Sequence, residues 1–146
     1  MTVRRRRALL DVNVLVALAW SQHPHYEAAH DWYERDGYRG WATTPVTESG
    51  FVRVSCQTRV SAIPIAPDMA LRSLASIIEL PGHRFWADDV RGVTGHLKLP
   101  LLRTYRQVSD AHLLTVADRY SGRVTTFDAG LALLAGERSD LVELLS

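Results

Sequence analysis

The stretch Ala8–Leu18, ALLDVNVLVAL, decides how this chain is read. A short apolar run ends on Asp11, and an apolar segment suited to a helix follows. A carboxylate at such a strand-to-helix junction lies beside a buried element. It costs free energy there unless something positive compensates it. Three more segments repeat the arrangement: Glu48 in TTPVTESGFVRV (43–54), Asp110 in RQVSDAHLLTVA (106–117) and Asp128 in VTTFDAGLALL (124–134). If these elements lie side by side, the four acids converge. A cluster of hard oxygen ligands then calls for Mg2+ or Mn2+, and with it for metal-dependent nuclease chemistry.

Working outward, Ala8–Leu10 reads as a buried strand and Val14–Ser21 as a helix. His25–Asp36 is a second helix, with Tyr26, Ala29, Trp32 and Tyr33 on one stripe. Trp41–Thr43 fits a strand, and Thr44-Pro45 starts a helix that runs to about Thr58. Asp68 caps a helix through Ile78, Arg84–Ala87 fits a strand, and Asp88-Asp89 begin a helical stretch toward Leu97. After a connector over Pro100–Arg106, Ser109 caps a helix from Asp110 to Tyr120. Val124–Phe127 is a strand, Gly130–Ala135 a short helix and Leu141–Leu145 a last strand. Strands alternating with helices predict an α/β fold, a parallel sheet covered on both faces, with functional groups at the strand C-terminal edge.

The bulk numbers narrow the classes. A chain of 146 residues with 47% hydrophobic and 23% charged content is one globular domain, residues 1–146, not a disordered segment. The apolar stretch Leu9–Trp20 is interrupted by Asp11 and Asn13, which argues against a membrane span and a signal peptide and for a cytoplasmic protein. The single Cys56 permits no internal disulfide and reads as a partly buried thiol. A net charge of +1 marks no generic nucleic-acid coat. The positive charge is nearly all arginine, Lys98 being the only lysine, and arginine binds phosphate bidentately. The run Arg4–Arg7 either touches RNA phosphates or is a solvated terminus.

Each acid also has a structural reading. Asp11 can close a turn, Glu48 and Asp110 can serve a helix dipole worth roughly 0.3–1 kcal/mol, and Asp128 can cap a helix. The joint reading is stronger, because all four occupy the same kind of junction. Glu27, Asp31, Glu34 and Asp36 instead share a polar helix face and solvate it.

The segments LLDVNVLVAL, TESGFVRV, SDAHLLTVA and TTFDAGL, in this order, resemble the PIN-domain ribonucleases, and among them the VapC toxins of bacterial toxin–antitoxin modules. WATTPVTESGFVRV and HRFWADD fit one branch of them. The resemblance spans Leu9 to about Ala135 and implies a PIN-like α/β/α sandwich with a central parallel sheet. It maps the family's acidic cluster onto Asp11, Glu48, Asp110 and Asp128 as catalytic and metal-binding residues, with Thr47, Ser109 and Asn13 flanking them. It implies hydrolysis of RNA phosphodiesters with Mg2+ or Mn2+, in one- or two-ion form, with a tRNA or ribosomal RNA loop as substrate. It further implies a cognate VapB-type antitoxin that sets a basic side chain among the carboxylates, and a homodimer.

RNA-gripping residues are open at this stage. Arg53, Arg106, Arg119 and Arg123 are phosphate-contact candidates or ordinary helix surface. Trp20, Trp32, Trp41 and Trp86 stack on bases or pack in the core. His112 donates to the phosphate or packs, and Asp88-Asp89 cap a helix. The stripe of Tyr26, Trp32 and Tyr33 serves a dimer, an antitoxin or the core. Rival readings are weaker. A haloacid-dehalogenase-type phosphatase needs an acid where Asn13 stands, and a receiver domain needs a late lysine pattern absent around Lys98. A PIN-like module that only binds RNA or protein remains the alternative, disfavoured by the presence of all four acids.

Overall fold

The computed structural model describes residues 6–57, 63–91 and 97–146. Five short strands, β1 (Ala8–Leu10), β2 (Trp41–Thr43), β3 (His83–Phe85), β4 (Arg123–Thr126) and β5 (Val142–Leu144), form one all-parallel sheet in the order β3-β2-β1-β4-β5. The pleat sends alternate side chains to opposite faces. Leu9, Ala42 and Val124 pack under helices α5 (Val108–Arg119) and α6 (Ala129–Ala135). Ala8, Leu10 and Trp41 pack under α1 (Val12–Ala19), α2 (Tyr26–Arg35), α3 (Pro45–Ser55) and α4 (Pro67–Ile77). The result is the expected α/β/α sandwich, each face of the sheet closing its own core.

Because every strand runs the same way, all C-terminal ends share one edge. There the chain turns from β1 into α1, from β2 into α3 and from β4 into α6. Asp11 caps α1 itself, its Oδ1 accepting from Val12 N at 2.7 Å, so the helix begins two residues earlier than the apolar spacing predicts. Thr44 caps α3 with Pro45 at the first helical position, as expected, and Thr47 completes a reciprocal capping box with it. The helix ends at Ser55; the expected continuation to Thr58 runs into 58–62, outside the described residues.

Other expectations are corrected. Ser109 caps nothing: α5 starts at Val108, carried in by a 3-10 turn over Tyr105–Gln107 whose own capping box joins Thr104 to Gln107. Gln107 Oε1 accepts from Arg103 N at 2.7 Å and Thr104 N at 3.1 Å, which fixes the entry one turn early. Asp68 lies in the first turn of α4 behind Pro67 and pairs with Arg72 at 3.4 Å. Asp88-Asp89 start no helix. Residues 86–89 have no regular structure, because Asp88 Oδ2 is drawn to His112 Nε2 at 2.7 Å; the rest of that expected helix falls mainly in 92–96, outside the described residues. The third strand begins at His83 and ends at Phe85, although Trp86 N still donates to Thr43 O at 2.8 Å. Cys56 is half-buried and free, as its context predicts.

The packing of α1 on α3 sets the distance between two of the junctions. Gly50 is buried, and a Cβ there would lie 2.6 Å from Val12 Cγ2. Gly50→Ala is therefore expected to destabilise the fold by about 1–3 kcal/mol through overpacking. Val12→Ala in the same chain should restore part of that loss. Urea unfolding of the two single variants and the double variant measures the coupling, and additive losses would refute the close contact.

Candidate metal centre

Asp11 follows β1, the central strand, and its backbone is locked by Asp11 N donating to Thr125 O at 3.0 Å. Its carboxylate is held from two sides. Oδ1 accepts from Val12 N, and Oδ2 accepts from the Thr126 hydroxyl at 2.7 Å. Burial raises the Asp11 pKa above the ordinary value, and the charge of Asp128 adds to that. The Thr126 and Val12 hydrogen bonds oppose the rise.

Thr126 is the hub of this corner. Fully buried at the end of β4, it donates to Asp11, while its Oγ1 accepts from Asp128 N at 2.9 Å and from Asn13 Nδ2 at 3.3 Å. Asn13 Oδ1 in turn accepts from Phe127 N at 3.3 Å. Asn13 thus braces the β4–α6 junction. Asp128 is the exposed N-cap of α6, its Oδ1 accepting from Gly130 N at 2.8 Å.

Asp110 lies half-buried in the first turn of α5. Burial, then the charges of Asp11 and Asp128, push its pKa up from 3.8 to about 6. Asp11, Asp110 and Asp128, from three junctions, thus lie close enough for their charges to act on one another. Among the described residues, no arginine or lysine forms an ion pair with any of them.

Glu48 stands apart. It is half-buried in the first turn of α3, and its Oε2 accepts from the Thr43 hydroxyl at 2.6 Å. Thr43 ends β2, the neighbour of β1, so Glu48 belongs to the same sheet edge. None of the causes that shift Asp11 or Asp110 includes it. Among the described residues, no three His, Cys, Asp or Glu side chains are drawn close enough to grip one ion directly. Like charges resist being pressed together, and Mg2+ keeps several waters. The donor set, all carboxylate oxygen and electrically uncompensated, fits a hydrated hard cation bound in part through water.

The flanking candidates divide. Thr47 is fully buried and spends its hydroxyl on the α3 capping box, and Ser109 is exposed on the first turn of α5. His112 is committed to Asp88. The tryptophans pack: Trp32, Trp41 and Trp86 are buried, and Trp20 stacks on Phe51 while donating to Ser55 Oγ at 2.8 Å. Of the aromatic stripe, Trp32 and Ala29 are core, Trp32 Nε1 reaches Glu143 at 3.0 Å, and Tyr33 donates to Pro81 O. Arg123 opens β4 at the opposite edge and pairs with Glu143 at 3.0 Å, and Arg119 ends α5 a full helix away from Asp110. Arg6 and Arg7 also lie at that far edge, Arg6 on Asp140 and Arg7 on Gly82 O, which removes them from the site; Arg4 and Arg5 lie outside the described residues. Arg53 and Arg106 remain exposed. Arg106 precedes α5 beside Tyr105, which is 80% exposed. Sequence reasoning missed Thr43 and Thr126; their only signal is a threonine closing each strand just before a junction acid.

The chain matches the family model described as PIN domain over residues 8–137. It is 51% identical over 142 residues to Ribonuclease VapC38 of Mycobacterium tuberculosis, covering 95% of this chain and 98% of that one. It is 45% identical over 139 residues to Ribonuclease VapC39 of the same organism, covering 94% and 99%. With Ribonuclease VapC44 it shares 40% identity over 130 residues, 88% of this chain and 91% of that one.

The raised Asp110 pKa fixes the sign of a stability change. Between about pH 4 and 6 the folded, metal-free protein holds a proton that the unfolded chain releases. Stability therefore falls as pH rises through that window and stays lowered above it. Asp110→Asn is expected to stabilise the metal-free protein by roughly 1 kcal/mol at pH 7.5, solvent screening at a half-exposed carboxyl having reduced the full linkage value. The difference should vanish below pH 4. Thermal melts in chelator across this range read the effect, and a destabilised Asp110→Asn at pH 7.5 contradicts it.

Proposed function

The chain belongs to the PIN-domain family, among its VapC ribonucleases, and from that premise we propose that Asp11, Glu48, Asp110 and Asp128 form its divalent-cation centre. The protein is an endoribonuclease, the toxin of a VapBC-type toxin–antitoxin system, and its reaction is hydrolysis of RNA phosphodiester bonds. The observation that carries the site is the mutual charging of Asp11, Asp110 and Asp128 at one sheet edge, with no cationic side chain among the described residues to neutralise them. Such a pocket repels a phosphate. Oxygen-only ligation selects Mg2+ or Mn2+ over softer-ligand metals. When bound, one or two such ions activate a water and neutralise charge on the scissile phosphate and the leaving oxygen.

The residues divide the work. Asp11 presents a carboxylate fixed from both sides, by the Thr126 hydroxyl and by Val12 N. Asp110 is the proton-sensitive member, neutral below about pH 6 in the metal-free protein and charged above it. Asp128 and Glu48 approach from α6 and α3 and complete the set directly or through water. The substrate is a structured cellular RNA, a tRNA or ribosomal RNA loop, and the protein acts in the cytoplasm. Among the described residues, no helix is long and apolar enough to cross a membrane. A VapB-type antitoxin silences the centre by placing a basic side chain among the carboxylates, which supplies the missing positive charge. The toxin works as a homodimer.

Two outcomes test this reading. Asp11→Ala should lose RNA cleavage by more than about 100-fold, beyond the cost of disturbing a metal's supporting residues, and should relieve growth arrest on expression without antitoxin. Sequencing of cleaved RNA ends from cells carrying each form is the readout; arrest that persists in Asp11→Ala without cleavage makes the protein a binder. Cleavage and the thermal stabilisation produced by Mn2+ should both fade as pH drops through about 6, where Asp110 takes up its proton. A flat response across pH 5–8 would count against Asp110 as a ligand.

A further inference from the structure

Glu48 is held by a threonine that has a histidine side chain behind it. The Thr43 hydroxyl lies 2.6 Å from Glu48 Oε2 and 2.7 Å from His83 Nε2. A hydroxyl has one proton to give, and a carboxylate oxygen can only accept it. Thr43 therefore donates to Glu48, and the proton between His83 and Thr43 must belong to His83 Nε2. The direction of the chain is fixed: His83 to Thr43 to Glu48. Thr43 is fully buried, so its hydroxyl has no solvent to turn toward.

The three residues come from three elements. His83 opens the edge strand β3, Thr43 closes β2 and Glu48 lies in the first turn of α3. The imidazole is pinned by its ring packing on Trp41, with centroids 4.6 Å apart. Burial, with the Arg7 guanidinium acting in the same sense and Glu48 opposing, keeps the ring below the ordinary histidine range. A neutral imidazole has a single N–H, and here it is committed to Nε2.

We propose that His83 is a positioning residue for the metal centre: through the Thr43 hydroxyl its Nε2–H holds Glu48 Oε2 and turns Oε1 toward the divalent cation. This rests on the assignment of Glu48 to the acidic centre. Partners of this kind, one bond behind a ligand, typically change metal affinity by 10–100-fold when removed.

The test uses Mn2+ titration of the RNA-free protein by calorimetry at pH 7.5. His83→Phe keeps a ring on Trp41 but has no donor, whereas His83→Gln keeps a donor. Thr43→Val loses the hydroxyl at nearly constant shape, and Thr43→Ser retains it. The donor-lacking pair should bind Mn2+ about tenfold more weakly, and the donor-keeping pair should stay within about threefold of the parent. Nitrogen-15 spectra of the metal-free parent should place the His83 proton on Nε2. Parent-like affinity in His83→Phe, equal losses in His83→Gln and His83→Phe, or a proton on Nδ1 would each overturn the relay. Glu48→Gln separates the two levels. If it weakens Mn2+ binding while His83→Phe does not, the relay alone is wrong. If Glu48→Gln is itself silent, Glu48 is no ligand, and the site assignment falls together with the relay.

Discussion

Four helices begin at one edge of the parallel sheet, and an acid stands at the start of each: Asp11 and Asp128 as N-caps of α1 and α6, Glu48 and Asp110 in the first turns of α3 and α5. A helix N-terminus offers a carboxylate roughly 0.3–1 kcal/mol at an exposed site. The repulsion among the acids is nonetheless felt, since the charges of Asp11 and Asp128 help push the Asp110 pKa up to about 6. The dipoles therefore ease the crowding of these acids without cancelling it. The two cores, built on Leu9 and Val124 to one side and on Leu10 and Trp41 to the other, hold an edge that electrostatics alone would push apart. A fold that concentrates negative charge in this way is set up to gain stability from a hard cation.

Two of these acids are held by the sheet itself. Thr43 and Thr126 close β2 and β4, the strands on either side of β1, and both are fully buried. Each gives its hydroxyl proton to a carboxylate, Thr43 to Glu48 and Thr126 to Asp11. Each also accepts from a donor behind it, His83 in one case and Asn13 with Asp128 N in the other. The sheet thus contributes two rigid hydroxyls that orient acids on neighbouring elements. Threonine suits the position because its branched Cβ fits the strand while its oxygen faces the edge.

The parts of this arrangement that depend on local patterning could be read from the chain. Asp11 between a short apolar run and an apolar helix, and Thr44-Pro45 at a helix start, announce their junctions within a few residues. The parts that depend on tertiary contact could not. The start of α5 is moved by a side chain of the preceding turn, Gln107, bonding back to Arg103 N and Thr104 N. The acidic pair after β3 suggests a helix cap until Asp88 is seen to meet His112, which lies far along the chain. His83 carries no signal at all, since its role exists only because β3 pairs with β2 and brings its ring to Thr43.

The arginine-rich character of the chain also changes meaning once placed. Arg138 bonds Asp118 and Asp140 at 3.0 Å each, Arg6 reaches Asp140, Arg123 reaches Glu143, and Arg7 closes on Gly82 O. These residues cluster where the strands begin, opposite the acids, and their charge is largely spent on structure. A net charge of +1 therefore conceals a division, with paired arginines at one edge and, at the other, carboxylates that form no ion pair among the described residues. The field at the acidic edge opposes an approaching polyanion. In the centre proposed above, bound divalent cations would reverse that sign locally. Cation occupancy of the proposed centre and capture of a polyanion would then be linked by charge.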